Sequence, residues 1–262
     1  MHYRWEAIAA LLAASAPALY AQAPTPPKTD RYAPELQKLN QQFNEGRQKV
    51  FEAYQKAPEK DRMKVYSDGM GKLSAELGPK FLALAKKAKG TPTGLRARMQ
   101  HFGMLSGPNA RPETLLALAR QIVQIEGKNP DMARALSQFG SLRYQFPAPG
   151  SDKNRESLLA LLLDAEKVTP FPGVKAQAMF ERGQVLYDSG KKPEALALMK
   201  RTVAKYPTTG GGAQAKSVIF ELENLQIGMV APEVTGKDET GTAFKLSDYR
   251  GKVVVLDFWG FW

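Results

Sequence analysis

Most of the side chains that do chemistry are scarce or badly placed in this sequence. It contains no cysteine, so no thiolate, disulfide or thiolate-bound metal can form within its 262 residues. The histidines are His2 and His101, and no His/Cys cluster has the spacing of a zinc site. His101, alone beside Phe102, is expected to pack rather than catalyse. There is no phosphate-binding P-loop, and Gly210-Gly211-Gly212 follows a helical pattern rather than a strand, which makes it a turn and not a phosphate cradle. Carboxylates are plentiful on helix surfaces and specify nothing. What remains is one acid near the C-terminus, Asp257, inside the apolar run Lys252-Val-Val-Val-Leu-Asp-Phe258 and followed by Trp259 and Trp262.

The elements that would position these residues are mainly helical. Leu36, Leu39, Phe43, Val50 and Tyr54 recur at helical spacing, as do Met63, Tyr66, Met70, Leu73 and Leu77. Pro58 separates the two stripes, and Gly78-Pro79 is expected to end the second. The pattern predicts an antiparallel helical hairpin with a coiled-coil-like seam, then a third helix from Pro79 to Lys89. The stripe residues are core, since methionines at this spacing fill gaps far more often than they bind ligands.

From Leu95 to Leu225 helices continue in pairs with a faint repeat. Phe102-Gly103-x-Leu105, Phe139-Gly140-x-Leu142 and Gly183-x-x-Leu186 each lie in an apolar helix. Glycines at such points suit close helix approach in a stacked α-solenoid. In the last hairpin Gly183, Gly190, Ala195, Met199 and Pro207 fall at the spacing of the tetratricopeptide repeat. Leu186, Met179 and Arg182 depart from that pattern. Thr208–Gly212 is read as a flexible turn before the final helix.

At Gly228 the texture changes. Ala231-Pro232 breaks the helical pattern, Lys237–Gly241 is a turn, Ala243–Leu246 is short and extended, and Ser247–Gly251 is a second turn. The β-branched run after it predicts a strand covered on both faces. The residues Ile227-Gly-x-x-Ala-Pro232, Asp238-x-x-Gly241, Lys245-Leu-Ser-Asp-Tyr-Arg-Gly-Lys252 and Val253-Val-Val-Leu-Asp-Phe-Trp-Gly-Phe-Trp262 closely resemble the opening of exported thioredoxin-like proteins. The nearest groups are the TlpA/ResA-type thiol-disulfide oxidoreductases and the related redoxin and AhpC/TSA families. The resemblance implies a nucleophile immediately after Trp262, in a Cys-x-x-Cys motif that opens a helix. It also implies that Asp257 matches the buried acid assisting proton transfer at the resolving thiol, and that Trp259 and Trp262 pack around the motif. Against this stands the bland reading of Asp257 as a strand residue meeting water. No catalytic, cofactor-binding or metal-binding residue is expected within residues 1–262 themselves. A cysteine codon differs from UGA by one base, and UGA is recoded as selenocysteine. The end at Trp262 is therefore open to three readings: a recoding site, a nonsense mutation or a fragment edge.

The N-terminus carries His2 and Arg4, an uncharged alanine- and leucine-rich stretch from Ala7 to Tyr20, and small residues at Ala16, Ala18, Ala21 and Ala23. This is the layout of a secretory signal peptide, cut after Ala18, Ala21 or Ala23. A buried N-terminal helix is the alternative. The expected organisation is a signal peptide (1–21), a proline-rich linker (22–33), a helical hairpin region (34–90), tetratricopeptide-like repeats (91–226) and the start of a truncated thioredoxin-like domain (227–262). The fold class is mainly α: a helical-hairpin, tetratricopeptide-like α-solenoid followed by the first β-hairpin of a thioredoxin-like fold.

The net charge of +11 lies in the helical region, because Arg4 and Glu6 cancel and residues 227–262 carry one more acid than base. It is either a solvated basic surface or a face for acidic envelope surfaces, and no zinc-finger or basic–aromatic array points to nucleic acid. The expected function is an envelope thiol-disulfide oxidoreductase whose repeats dock protein partners, inactive as the 262-residue chain. The alternative is a periplasmic helical-repeat scaffold with a relic tail.

Overall fold

A computed structural model describes residues 30–106, 110–145 and 152–257. The described chain is mainly helical, with one two-stranded sheet. It divides into two units after Leu105. The signal-peptide segment, Phe258, Trp259 and Trp262 lie outside the described residues.

In the first unit, α1 (Ala33–Lys56) and α2 (Arg62–Lys87) form the hairpin that the two apolar stripes predict, joined through Pro58 and a 3-10 turn at Glu59–Asp61. α3 (Pro92–Leu105) packs mainly on α2. Its backbone donors are satisfied from two directions: Thr91 Oγ1 accepts from Gly94 N at 3.2 Å, and Asp30 Oδ2 accepts from Thr93 N at 3.0 Å. Burial pushes the Asp30 carboxyl up, but the hydrogen bonds from Thr93, Tyr32 and Thr91 outweigh it and hold it below its ordinary value.

The predicted break at Gly78-Pro79 does not occur. Pro79 lies inside α2, where it removes one backbone hydrogen bond. Leu77, Phe81, Leu84 and Ala85, on both sides of it, are buried against Leu36, Leu39 and Ala97. Burial of large apolar side chains, each about 1.5–3 kcal/mol, outweighs the ~3 kcal/mol that an interior proline costs. The core thus sits at the base of the hairpin. In the outer half no residue from 40 to 76 is fully buried, and the seam closes through small residues. A Cβ on Gly46 would lie 2.4 Å from Leu73 Cδ1, and one on Gly69 2.9 Å from Val50 Cγ1.

In the second unit, α4 (Pro112–Glu126), α5 (Met132–Gly140), α6 (Asp152–Val168), α7 (Pro172–Asp188), α8 (Lys192–Lys205) and α9 (Gly210–Asn224) follow one another. α7 is the hub, touching α5, α6, α8 and α9. It is buried almost all round, through Val174, Ala176, Ala178, Met179, Phe180, Gly183 and Val185. Gly190 takes a left-handed turn conformation (φ 76°) between α7 and α8. Gly183 faces Met199 and Gly140 faces Glu181, close approaches that a Cβ would obstruct. Gly103 is exposed at the end of α3 and does not serve that purpose.

Gly210–Gly212 is not a flexible turn but the first turn of α9. Thr209 caps it, accepting from Gly212 N at 3.1 Å. Gly211 and Gly212 are buried because backbone passes beside them: a Cβ on Gly211 would lie 2.5 Å from Ala176 C, and one on Gly212 2.0 Å from Tyr206 O.

After α9 the chain forms an antiparallel hairpin of β1 (Thr235–Lys237) and β2 (Ala243–Lys245), in register Thr235↔Lys245, Gly236↔Phe244 and Lys237↔Ala243. A 3-10 turn follows at Leu246–Tyr249. The strand expected from Lys252 onward is absent from residues 252–257, which run without sheet partners. A strand needs ladder partners on its backbone, and the described residues supply none.

Candidate functional site

Helical spacing puts Asn44, Arg47, Gln48 and Phe51 on one stripe of α1, beside the seam rather than in it. With Tyr66 from α2 they line a solvent-open hollow of about 410 Å³ in the outer half of the hairpin. The rings around it are pinned. Phe51 stacks on Tyr54 at 5.9 Å, and Tyr54 meets Tyr66 edge-on at 6.2 Å. The Arg62 guanidinium lies 6.0 Å from the Tyr54 ring centre while its Nε donates to Ala57 O at 3.2 Å. Gln48 Nε2 donates to Glu52 Oε1 at 3.2 Å. Arg47 has no ion-pair partner among the described residues. The lining has an exposed, unpaired cation, carboxamide donors and acceptors and aromatic walls, but no nucleophile with an adjacent base.

The second concentration of polar chemistry is buried in the other unit. Arg143, in the 3-10 turn after α5, donates from Nη1 to Glu181 Oε2 at 3.3 Å and from Nη2 to Tyr144 Oη at 2.7 Å. Its Nε sits 2.9 Å from Asp188 Oδ2, as an ion-pair contact rather than an aligned hydrogen bond. Gln177 Nε2 bridges Glu181 Oε1 at 2.9 Å and Gln214 Oε1 at 3.2 Å, linking α7 to α9. Burial pushes the Glu181 carboxyl up, against the opposing pull of Gln177, Arg143 and Ser137. This network ties α5, α7 and α9 together.

The residues singled out in the sequence do not converge. His101 is half-buried, its Nδ1 packed toward Gly78 without a hydrogen-bond partner, and burial lowers its pKa. Asp257 is exposed, so the acid that the resemblance implies to be buried meets water here. Trp259 and Trp262 fall outside the described residues. Among the described residues no group of three or more histidines and carboxylates could hold a metal ion, and no helix is long and apolar enough to cross a membrane.

The sequence reading missed the hollow. It used Tyr54 and Tyr66 as seam residues and did not single out Asn44, Arg47, Gln48 or Phe51. Their 3, 4 and 7 spacing was the available signal. No family model, curated protein or solved structure matches the chain.

Proposed function

We propose that residues 1–262 belong to an exported, envelope thiol-disulfide oxidoreductase of thioredoxin-like type, in which tetratricopeptide-like helices hold a protein partner and the reacting thiols lie outside these residues. The observation that carries this reading is the run Val253–Leu256. Its four apolar residues are 97%, 41%, 86% and 48% exposed, directly after the β1–β2 hairpin and its 3-10 turn. An uncovered apolar run of this kind suits an internal strand of an α/β sheet, which needs neighbours on both edges and helices on both faces. The hairpin register, the Gly251 turn with φ 81° and the quoted motifs support the same domain type.

In such exchange a thiolate attacks a disulfide sulfur, forming a mixed disulfide and releasing the other sulfur as a thiolate. The contribution of residues 30–225 is to place the partner. The α7–α8 hairpin, with Gly183 against Met199 and Ala195 buried, supports the tetratricopeptide-like assignment.

Two experiments test the proposal. Purified residues 1–262 should reduce insulin no faster than a blank, since no side chain among them can replace a thiolate. In the gene, the next ~100 codons, a typical domain length, should continue in frame as a thioredoxin-like pattern that opens with a cysteine or UGA codon and has a cysteine three codons later. A continuation without that pattern refutes the assignment. The absence of cysteine favours a second reading, a periplasmic helical-repeat scaffold, and that genomic result would select it.

A further inference from the structure

From the hollow on the α1–α2 hairpin we infer a binding site for a carboxylated sugar of an acidic polysaccharide. The inference is independent of the thiol-disulfide reading, since no residue of the hollow belongs to the C-terminal segment. Its volume, about 410 Å³, lies in the range of small-molecule sites, about 300–1,000 Å³. The wall chemistry selects the ligand class. Phe51 and Tyr66 offer apolar ring surface for the C–H face of a pyranose, and Tyr54, held by Arg62, fixes the rings before anything binds. Pre-set rings lower the ordering cost of binding.

Asn44 and Gln48 are carboxamides, each able to donate and accept. A sugar hydroxyl meets that combination with a single group, whereas an acidic peptide must divide it between a backbone N–H and a side-chain carboxylate. Arg47 then selects for charge: its guanidinium has no ion pair among the described residues and can grip a carboxylate with two parallel bonds. The setting agrees, because residues 30–105 carry fifteen lysines and arginines against eight carboxylates. That field draws an anionic polymer toward the hairpin. The hollow is open to solvent, so a polymer can pass through and need not end there.

The test is an NMR titration of the 262-residue protein at 0.15 M salt with three probes: tetragalacturonate, the neutral tetramer maltotetraose, and tetraglutamate. Tetragalacturonate should bind saturably and shift the side-chain amides of Asn44 and Gln48 and the Nε–H of Arg47. Maltotetraose should bind at least tenfold more weakly at the same residues, and tetraglutamate should not saturate there. Arg47→Gln should weaken tetragalacturonate at least tenfold, as loss of a charge-assisted hydrogen bond of about 1.5–3 kcal/mol requires. Phe51→Ala, at a half-exposed position outside the core, should weaken both sugars while leaving far-UV circular dichroism unchanged. Equal binding by Arg47→Gln overturns the proposal, as does saturation without shifts at Asn44, Arg47 and Gln48. Tighter binding of tetraglutamate than of tetragalacturonate overturns it in favour of an acidic peptide.

Discussion

Gly210 and Gly211 are adjacent, both helical and chemically identical, yet the structure assigns them opposite responses to a methyl group. A Cβ at Gly211 would lie 2.5 Å from Ala176 C, 2.6 Å from Ala176 O and 2.7 Å from Gln177 N. All three are backbone atoms of α7 and cannot rotate away. Relief to an ordinary contact of about 3.5 Å moves α9 off α7 by roughly 1 Å. Overpacking of this kind costs about 1–3 kcal/mol. The helix preference of alanine over glycine returns less than the ~0.8–1.0 kcal/mol of a helix interior, because the site is in the first turn. Gly211→Ala should therefore destabilise the protein by about 1–2 kcal/mol. At Gly210 nothing lies within 4 Å of the added atom, and Gly210→Ala should stabilise by about 0.4–1 kcal/mol through the unfolded chain. The pair should differ by about 2 kcal/mol, or about 4–8 °C in Tm at this size. Thermal melts and urea titrations followed by circular dichroism at 222 nm (the helix signal) measure both variants against wild type. A Gly211→Ala protein as stable as Gly210→Ala would refute the close approach of α9 to α7.

Ending the chain after Leu225 should leave the melting temperature within about 2 °C of wild type and raise solubility. No residue from 226 to 257 is buried, exposed positions contribute within about ±0.5 kcal/mol each, and uncovered strand-forming segments promote aggregation; a larger loss of stability would mean that the tail docks on the helices. Glu181 supplies a pH test. Its pKa is raised in the folded state, so its contribution is fully present below the ordinary carboxylate value of 4.5 and fades as pH rises through the folded value. The groups facing it are Arg143, Gln177 and Ser137. The stability difference between wild type and Glu181→Gln should shift toward the variant as pH rises from 4.5, measured by urea denaturation. A shift the other way would show that the attraction of Arg143 outweighs burial.

The helices were legible because their evidence is local. Spacings of three and four between apolar residues place Leu36, Leu39, Leu77 and Leu84 on buried faces wherever the chain goes next. Pro79 shows where such reading stops. A proline forbids one hydrogen bond, and whether that ends a helix depends on what the flanking turns bury. Phe81 and Leu84 decide it here through contacts with α1, more than forty residues away in sequence. Gly210–Gly212 was misread for the same reason, since the backbone that demands glycine at Gly211 belongs to α7. The run at Val253–Leu256 carries strong strand propensity, but a strand exists only with partners, and propensity cannot supply them.

The candidate site was less legible than the fold, and the repeat-like hairpin shows why. Arg182 looked like a defect in the tetratricopeptide pattern, a charge where an apolar residue is usual. In the structure it forms a short ion pair with Glu166 on α6, so the charge replaces an apolar contact between the same pair of helices. Glu181, its neighbour, is as deeply buried as the core around it; Gln177 sits one turn earlier on α7, but Arg143 comes from the 3-10 turn after α5. Truncating one partner of a buried pair costs about 3–5 kcal/mol, because it strands the other charge. Such pairs constrain one another across the fold while each half, read alone, looks like an ordinary surface residue. The hollow on α1 hides by the converse route. Arg47 has no ion-pair partner among the described residues, so no second position in the sequence points to it, and only the rings near it in space mark the hollow.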